Sequence, residues 1–308
     1  MTTLLNMIDE VSMNLSGYTL QQDRATHITA DVAATASTIA APITLALAST
    51  DSVGKGIVEI DEELFWVDNY DRVGNTATIA PYGRAYIGTI LAAHTAGTKV
   101  TIAPTFPRFT IKRAINDTIS AIGSSIFAAN TTTITSNSAV SAFRLPATGT
   151  TLNIRNILAI AYQALGSSKE WIPIRSYRFD GNANSTAFTS GQTVSIYDYI
   201  PSGRSVQVVY STDPTPFTTN AQEFVTQTGL PESCKDLIIL GATYRLLSNL
   251  DPARAAMVSP QADETDSKRP YGSSQSLTKQ VYALFNQRLN EEVKSQQEKY
   301  PIRVHYSL

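Results

Sequence analysis

The chain has 308 residues, 43% of them apolar and 16% charged, with a formal net charge of −2. That length allows about two domains of ~150 residues and a sizeable buried core. The near-neutral balance argues against a general nucleic-acid binder, which needs a basic surface to displace counterions, and against a polybasic membrane-surface protein. The single cysteine, Cys234, cannot form an intrachain disulfide. It fits folding in a reducing cytoplasm and reads as a small apolar residue on a helix face. No run approaches the ~20 apolar residues that span a bilayer, and no secretory signal is expected.

Leu4, Leu5, Ile8, Val11 and Leu15 recur at helical spacing and predict a helix within residues 1–23. Residues 24–105 read as a first β domain, a small barrel or sandwich. Its strand candidates are Pro42–Leu47, Ile57–Ile60, Leu64–Val67, Thr76–Ala80 and Thr98–Ile102. Asp61-Glu62 and Val73-Gly74-Asn75 are its turns. From Pro107 the period changes. Ile111, Ile115, Ile119, Ile122 and Ile126 form a helical stripe within 106–130, expected to end by Ala129 before the polar run Asn130–Ser138.

Residues 131–217 read as a second β domain, an antiparallel sandwich, with candidates Val140–Leu145, Ile157–Leu165, Trp171–Phe179, Thr193–Tyr197 and Ser205–Tyr210. Residues 218–300 read as helical, with helices near 231–250 and 277–299. Pro301 stops the last one. Ile302, Val304, Tyr306 and Leu308 then alternate with Arg303, His305 and Ser307. This end is either a last strand or frayed end of its own chain, or a tail (301–308) that adds to a partner's sheet edge. The expected fold is α+β. A helical bundle core (helices near 107–129, 231–250 and 277–299) carries two inserted antiparallel β domains and an extended C-terminal tail.

Candidate chemistry is sparse. His27, His94 and His305 are far apart in sequence, and none lies in a Cys or carboxylate cluster at ligand spacing, so no metal site is expected. The run from Asp180 superficially resembles a calcium loop, but Ser185 and Gly191 stand at its sixth and twelfth positions, and a turn fits better. Gly54-Lys55-Gly56 precedes a strand and is no phosphate cradle. Asp61, Glu62 and Glu63 read as solvent-facing carboxylates of a hairpin turn. With no converging polar groups, neither catalytic residues nor a cofactor are expected. Arg108, Lys112 and Arg113 share one side of a helix start. They are either a solvated face or a contact for an acidic partner or for DNA passing through a channel. The exposed-strand aromatics, Trp66, Tyr86, Trp171, Tyr197 and Tyr199 among them, read as cross-strand pairs, with some as interface anchors.

One segment carries a resemblance. Gly83-Arg84-Ala85-Tyr86-Ile87-Gly88-Thr89 is followed by Ala92-Ala93-His94-Thr95-Ala96-Gly97-Thr98, then by Phe106-Pro107-Arg108-Phe109 and a helix. This layout resembles virion proteins of tailed bacteriophages encoded among the head and head–tail joining proteins, where an "RGY-x-GT" run precedes "AAH-x-AGT". Ala85 stands here in place of the usual Gly. The resemblance implies a structural, non-enzymatic head–tail adaptor (connector), made in the bacterial host cytoplasm and located in the virion. Such adaptors form a homo-oligomeric ring, typically of twelve copies, between portal protein and tail proteins, around DNA that only passes through. No membrane is involved. The portal would be docked by Ile302, Val304, Tyr306 and Leu308. A tail, decoration or carbohydrate-binding virion protein is the alternative.

Overall fold

The computed structural model describes residues 2–19, 23–34, 40–137, 139–146, 153–165, 170–248 and 273–301. It overturns the expected helical bundle core. Among these residues, thirteen strands in three antiparallel sheets make up most of the fold, with five α-helices beside them. Only the α+β mixture fits, and that in part. The physical reason is where apolar side chains are buried. The longest helix, Ser273–Lys299, buries only Val281 and Phe285 among its described apolar side chains, whereas two large apolar clusters lie between strands. A bundle seam needs an apolar residue at every helical turn.

The chain divides into two compact units, one comprising Leu5–Ile115 with Gly241–Val281, the other Met1–Leu4, Asn116–Leu240 and Tyr282–Leu308. In the first, helix α1 (Leu4–Thr19) buries Met7, Ile8, Val11 and Leu15. Leu5 points outward instead, with Met7 taking the inward place.

Six strands follow: β1 (Arg24–His27), β2 (Ile43–Ala46), β3 (Gly56–Ile60), β4 (Glu63–Asp71), β5 (Thr76–Ile79) and β6 (Lys99–Ile102). Their order is β1-β6-β3-β4-β5-β2, antiparallel throughout. The end strands meet just beyond their last residues. Ile28 bridges Leu47, the Thr29 amide donates to Ala46 O at 2.9 Å, and the Ala48 amide donates to His27 O at 3.0 Å. The sheet therefore curls back on itself as a barrel, and its edges are used up. Ile28, Leu45, Val58, Ile60, Phe65, Val67, Ile79 and Val100 fill it.

Helix α2 (Arg108–Ile122) opens on Pro107, whose carbonyl accepts from the Ile111 amide at 3.0 Å. Ile111, Ile115, Ile119 and Ile122 are all buried. The helix stops seven residues earlier than the stripe predicts. Glycine is a poor helix former, and a Cβ at position 123 would crowd Pro214 at 3.2 Å. The polar run after it is a strand, because its β-branched threonines suit one.

The second unit holds β7 (Ala128–Thr135), β8 (Ala142–Arg144), β9 (Ile154–Gln163), β10 (Trp171–Pro173), β11 (Tyr177–Asp180), β12 (Thr193–Ile196) and β13 (Ser205–Thr212). They form a four-stranded sheet, β10-β9-β13-β7, and a three-stranded sheet, β11-β12-β8. Ile134, Ile160, Val206 and Val208 of the first pack with Val194 and Ile196 of the second as one sandwich core. The run Trp171–Phe179, expected as one strand, changes sheets midway. Asp198 accepts the Arg175 and Ser176 amides at 2.9 and 3.1 Å and fixes that crossing.

Helices α3 (Phe224–Thr228), α4 (Lys235–Ser248) and α5 (Ser273–Lys299) complete the fold. The Gln296 side-chain amide bonds both the amide and the carbonyl of Phe127, at 3.1 and 2.6 Å, just ahead of β7. Among the described residues, no helix is long and apolar enough to cross a membrane. The proposed tail residues Ile302, Val304, Tyr306 and Leu308 lie outside the described residues.

Candidate functional site

The most unusual chemistry of the chain is buried at one end of the barrel. Strand β4 begins at Glu63, on the same face as Phe65 and Val67, because alternate residues of a strand share a face. Its side chain is fully buried, as are those of Arg84 and His94. Arg84 Nε and Nη2 each donate to one Glu63 oxygen at 2.9 Å, a bidentate pair. His94 Nε2 lies 3.0 Å from Glu63 Oε2, and His94 Nδ1 lies 2.8 Å from Asp61 Oδ2. The Ala85 and Ala92 amides donate to the same carboxylate at 3.1 and 3.0 Å. Arg84 also caps the carbonyls of Ala33 and Ala92 and lies 5.1 Å over the Phe65 ring.

Charge in this cluster follows from its geometry. Burial pushes the Glu63 carboxyl up, but hydrogen bonds from His94, Arg84 and the Ala92 and Ala85 amides outweigh burial and hold it at about 2. Burial also opposes a charged His94, yet Asp61 and Glu63 raise it from 6.5 to about 9. At neutral pH the ring is therefore an imidazolium that donates from both nitrogens. Two positive and two negative groups balance. With its buried acid and base groups all committed to one another, the cluster is a clamp.

The clamp holds the long connection from β5 to β6. Gly83 packs against the barrel so closely that a Cβ there would lie 2.8 Å from Ala80 O and 2.9 Å from Trp66 O. Tyr82, Ala85 and Ile87 all take left-handed backbone conformations, with φ of 59°, 49° and 56°. Ala85 thus occupies a position that suits glycine, which accounts for the Gly usually found there in the proteins this segment resembles. Thr89 accepts from the Leu64 amide at 3.1 Å and donates to Tyr86 O at 3.1 Å. Further along, His94 and Val32 exchange both backbone bonds at 2.8 and 2.9 Å.

A second buried carboxyl lies nearby in sequence. Glu59 of β3 accepts the Arg108 amide at 2.5 Å, at the N-terminus of α2. Burial raises it to about 7, and the Arg108 amide and charge offset this only in part.

The basic residues singled out from sequence lie apart from the clamp. Arg108 pairs with Asp9 at 2.8 Å and Lys112 with Glu62 at 3.1 Å, while Arg113 is exposed. Reading Asp61, Glu62 and Glu63 as three solvent-facing carboxylates is corrected at Glu63. A usable signal existed in the parity that sets Glu63 with Phe65 and Val67. The pairing with His94, 31 residues away, had no signal in the spacing. The Asp180 run is a turn, with Asp180 Oδ1 accepting the Asn182 amide at 3.0 Å. Among the described residues, no group of three His, Cys, Asp or Glu is arranged to hold a metal ion. No protein-family model matches the chain, and no curated protein matches it.

Three outcomes are expected. Glu63→Ala strands two buried cations and should cost about 3–5 kcal/mol of unfolding free energy in a denaturant titration. A loss under ~1 kcal/mol, the scale of a surface pair, would refute the clamp. Ala85→Gly relieves a left-handed alanine and should gain about 1 kcal/mol, raising Tm by ~2–4 °C; an unchanged Tm would count against strain there.

The pH dependence has a definite sign. The contribution of His94, with its raised value, is complete below pH 6.5 and lost as pH rises through about 9. That of Glu63, with its lowered value, is complete above pH 4.5 and lost as pH falls through about 2. Glu59, raised, loses its contribution as pH rises from 4.5 through about 7. In a Glu59→Gln background, the denaturation midpoint should therefore still fall between pH 6.5 and 9. Adding His94→Gln should flatten that limb, and a limb that persists would remove the imidazolium from the account.

Proposed function

We propose that this chain is a structural, non-catalytic protein of a tailed bacteriophage particle. In this reading it is a head–tail adaptor that forms a ring below the portal and joins the capsid vertex to the tail around the DNA channel. The observation that carries this reading is the clamp. Arg84 belongs to the first recurring sequence piece and His94 to the second, and both close on Glu63. The residues behind the resemblance thus build one fixed loop. That loop displays Tyr82, Ile87 and Ile90, which are 71, 65 and 80% exposed. Apolar side chains displayed on a fixed backbone serve assembly, because little ordering entropy remains to be lost on docking.

The helical core no longer supports the adaptor reading, and neither does a strongly basic helix start. Two of its three cations are neutralised by Asp9 and Glu62. DNA remains a passing content of the channel in this proposal, and the portal and tail proteins remain the partners. A second reading, a tail, decoration or carbohydrate-binding virion protein, is favoured by one observation. The sandwich exposes Trp171, Tyr197 and Tyr199 at 41, 62 and 86%.

Cryo-electron microscopy of the particle that encodes this chain decides between them. A ring of its density between portal and tail is the expected result. Density lower in the tail or on the capsid shell would replace the adaptor reading with the second one. Absence from the particle would overturn both.

A further inference from the structure

We infer that the loop from Tyr82 to Ile90 is a contact between copies of this chain, and that the loop of one copy seats in a cavity on the sandwich of the next. The inference rests on the oligomeric reading above and names the surfaces that would form it.

The loop is built at a cost. Ile87 is β-branched, sits at φ 56° and is 65% exposed. Left-handed β-branched residues are true outliers, and such strain persists where surrounding structure over-determines it, typically at ligand clamps and switches. Here the over-determining structure is the Glu63 clamp, which bonds the amides of Ala85 and Ala92 on either side of Ile87. Trp66 and Tyr86 stack beside it, with ring centroids 5.3 Å apart.

Charge selects the partner. From Tyr82 to Thr98 the only ionisable residues besides the tyrosines are Arg84 and His94, and both side chains are fully buried. The loop offers no accessible cation for phosphate, so neither nucleic acid nor a lipid headgroup has a counter-charge there. A charged peptide finds none either. Two copies of one acidic chain can meet on an uncharged patch without like-charge repulsion.

The same chain also carries a seat. A cavity of about 260 Å³ opens on the sandwich, walled by Val140, Phe143, Ile196, Tyr199 and Ile200. A dry apolar cavity of ~150 Å³ holds a benzene ring, so this one has room for a branched aliphatic side chain such as that of Ile87. Asp198 stiffens its Tyr199 wall by accepting the Arg175 and Ser176 amides. Knob and seat are different patches, so the contact is head-to-tail, the kind that closes into rings.

The test uses the full-length purified chain. Ile87→Asp should keep its circular dichroism and Tm, because the side chain is exposed and Asp tolerates the left-handed region. It should weaken self-association at least tenfold in mass photometry and sedimentation. In parallel, Ile87→Cys and Tyr199→Cys variants are mixed and treated with a short bis-maleimide. Cys234 is buried, and its thiol is pushed up to about 12 by burial and then by Glu292, so it stays silent. A cross-linked dimer in the mixture, and in neither variant alone, is the expected result. Wild-type assembly that Ile87→Asp leaves intact would overturn this inference while the oligomeric reading stands. Lost assembly without the cross-link would overturn the assigned seat. A wild-type chain that stays monomeric would overturn both readings together.

Discussion

One carboxylate holds the barrel's long connection in place. Glu63 receives five hydrogen bonds, from Arg84 twice, His94, Ala85 and Ala92. Its neighbours lie 21 to 31 residues along the chain. Between β5 and β6 no strand ladder is available to satisfy the backbone, so polar groups must be met one at a time. A single anion with two oxygens can meet several of them together. Removing a charge from water is expensive, and the expense is offset only when partners are complete. Here they are complete: the bidentate arginine, the imidazolium and two amides leave the carboxylate no unmet lone pair.

An apolar residue at position 63 would fill space but could not choose a loop conformation. A carboxylate bonded to Ala85 and Ala92 fixes both flanks of the turn at Tyr86–Gly88. Left-handed Tyr82, Ala85 and Ile87 then become tolerable, since the alternative conformations would break bonds to a buried charge. The clamp exchanges some stability for one defined loop. This suits a protein that assembles, where a displayed side chain must arrive already in place.

Much of the local structure was legible. The strands of the barrel announce themselves by alternation and turn residues, and the isoleucine stripe marks where α2 begins. The end of α2 was not legible from the stripe, because Ile126 continues the period after the backbone has left the helix. Gly123 was the stronger signal there. The threonines of β7 read as polar linker until their β-branching is weighed against their hydroxyls. The error in architecture had a different cause. Helical periodicity shows that a helix forms, but not how much apolar surface it buries. Of the stripe read in α5, Leu284 is 43% exposed.

The site was legible in its pieces and hidden in its assembly. Arg84 and His94 stand out as polar residues inside two small-residue runs, and Glu63 stands out by parity. Nothing in linear spacing joins them, because the contact is made by the curl of the barrel. Closure at Ile28 and Leu47 sets the barrel's curvature, and Val32, four residues past that bridge, pairs with His94. The pairing of Val32 fixes the backbone of His94, and His94 in turn reaches Glu63. The position of one buried ring is thus determined by a barrel closure on the other side of the same segment. This explains why a feature so strongly bonded in space leaves so faint a trace in the order of the residues.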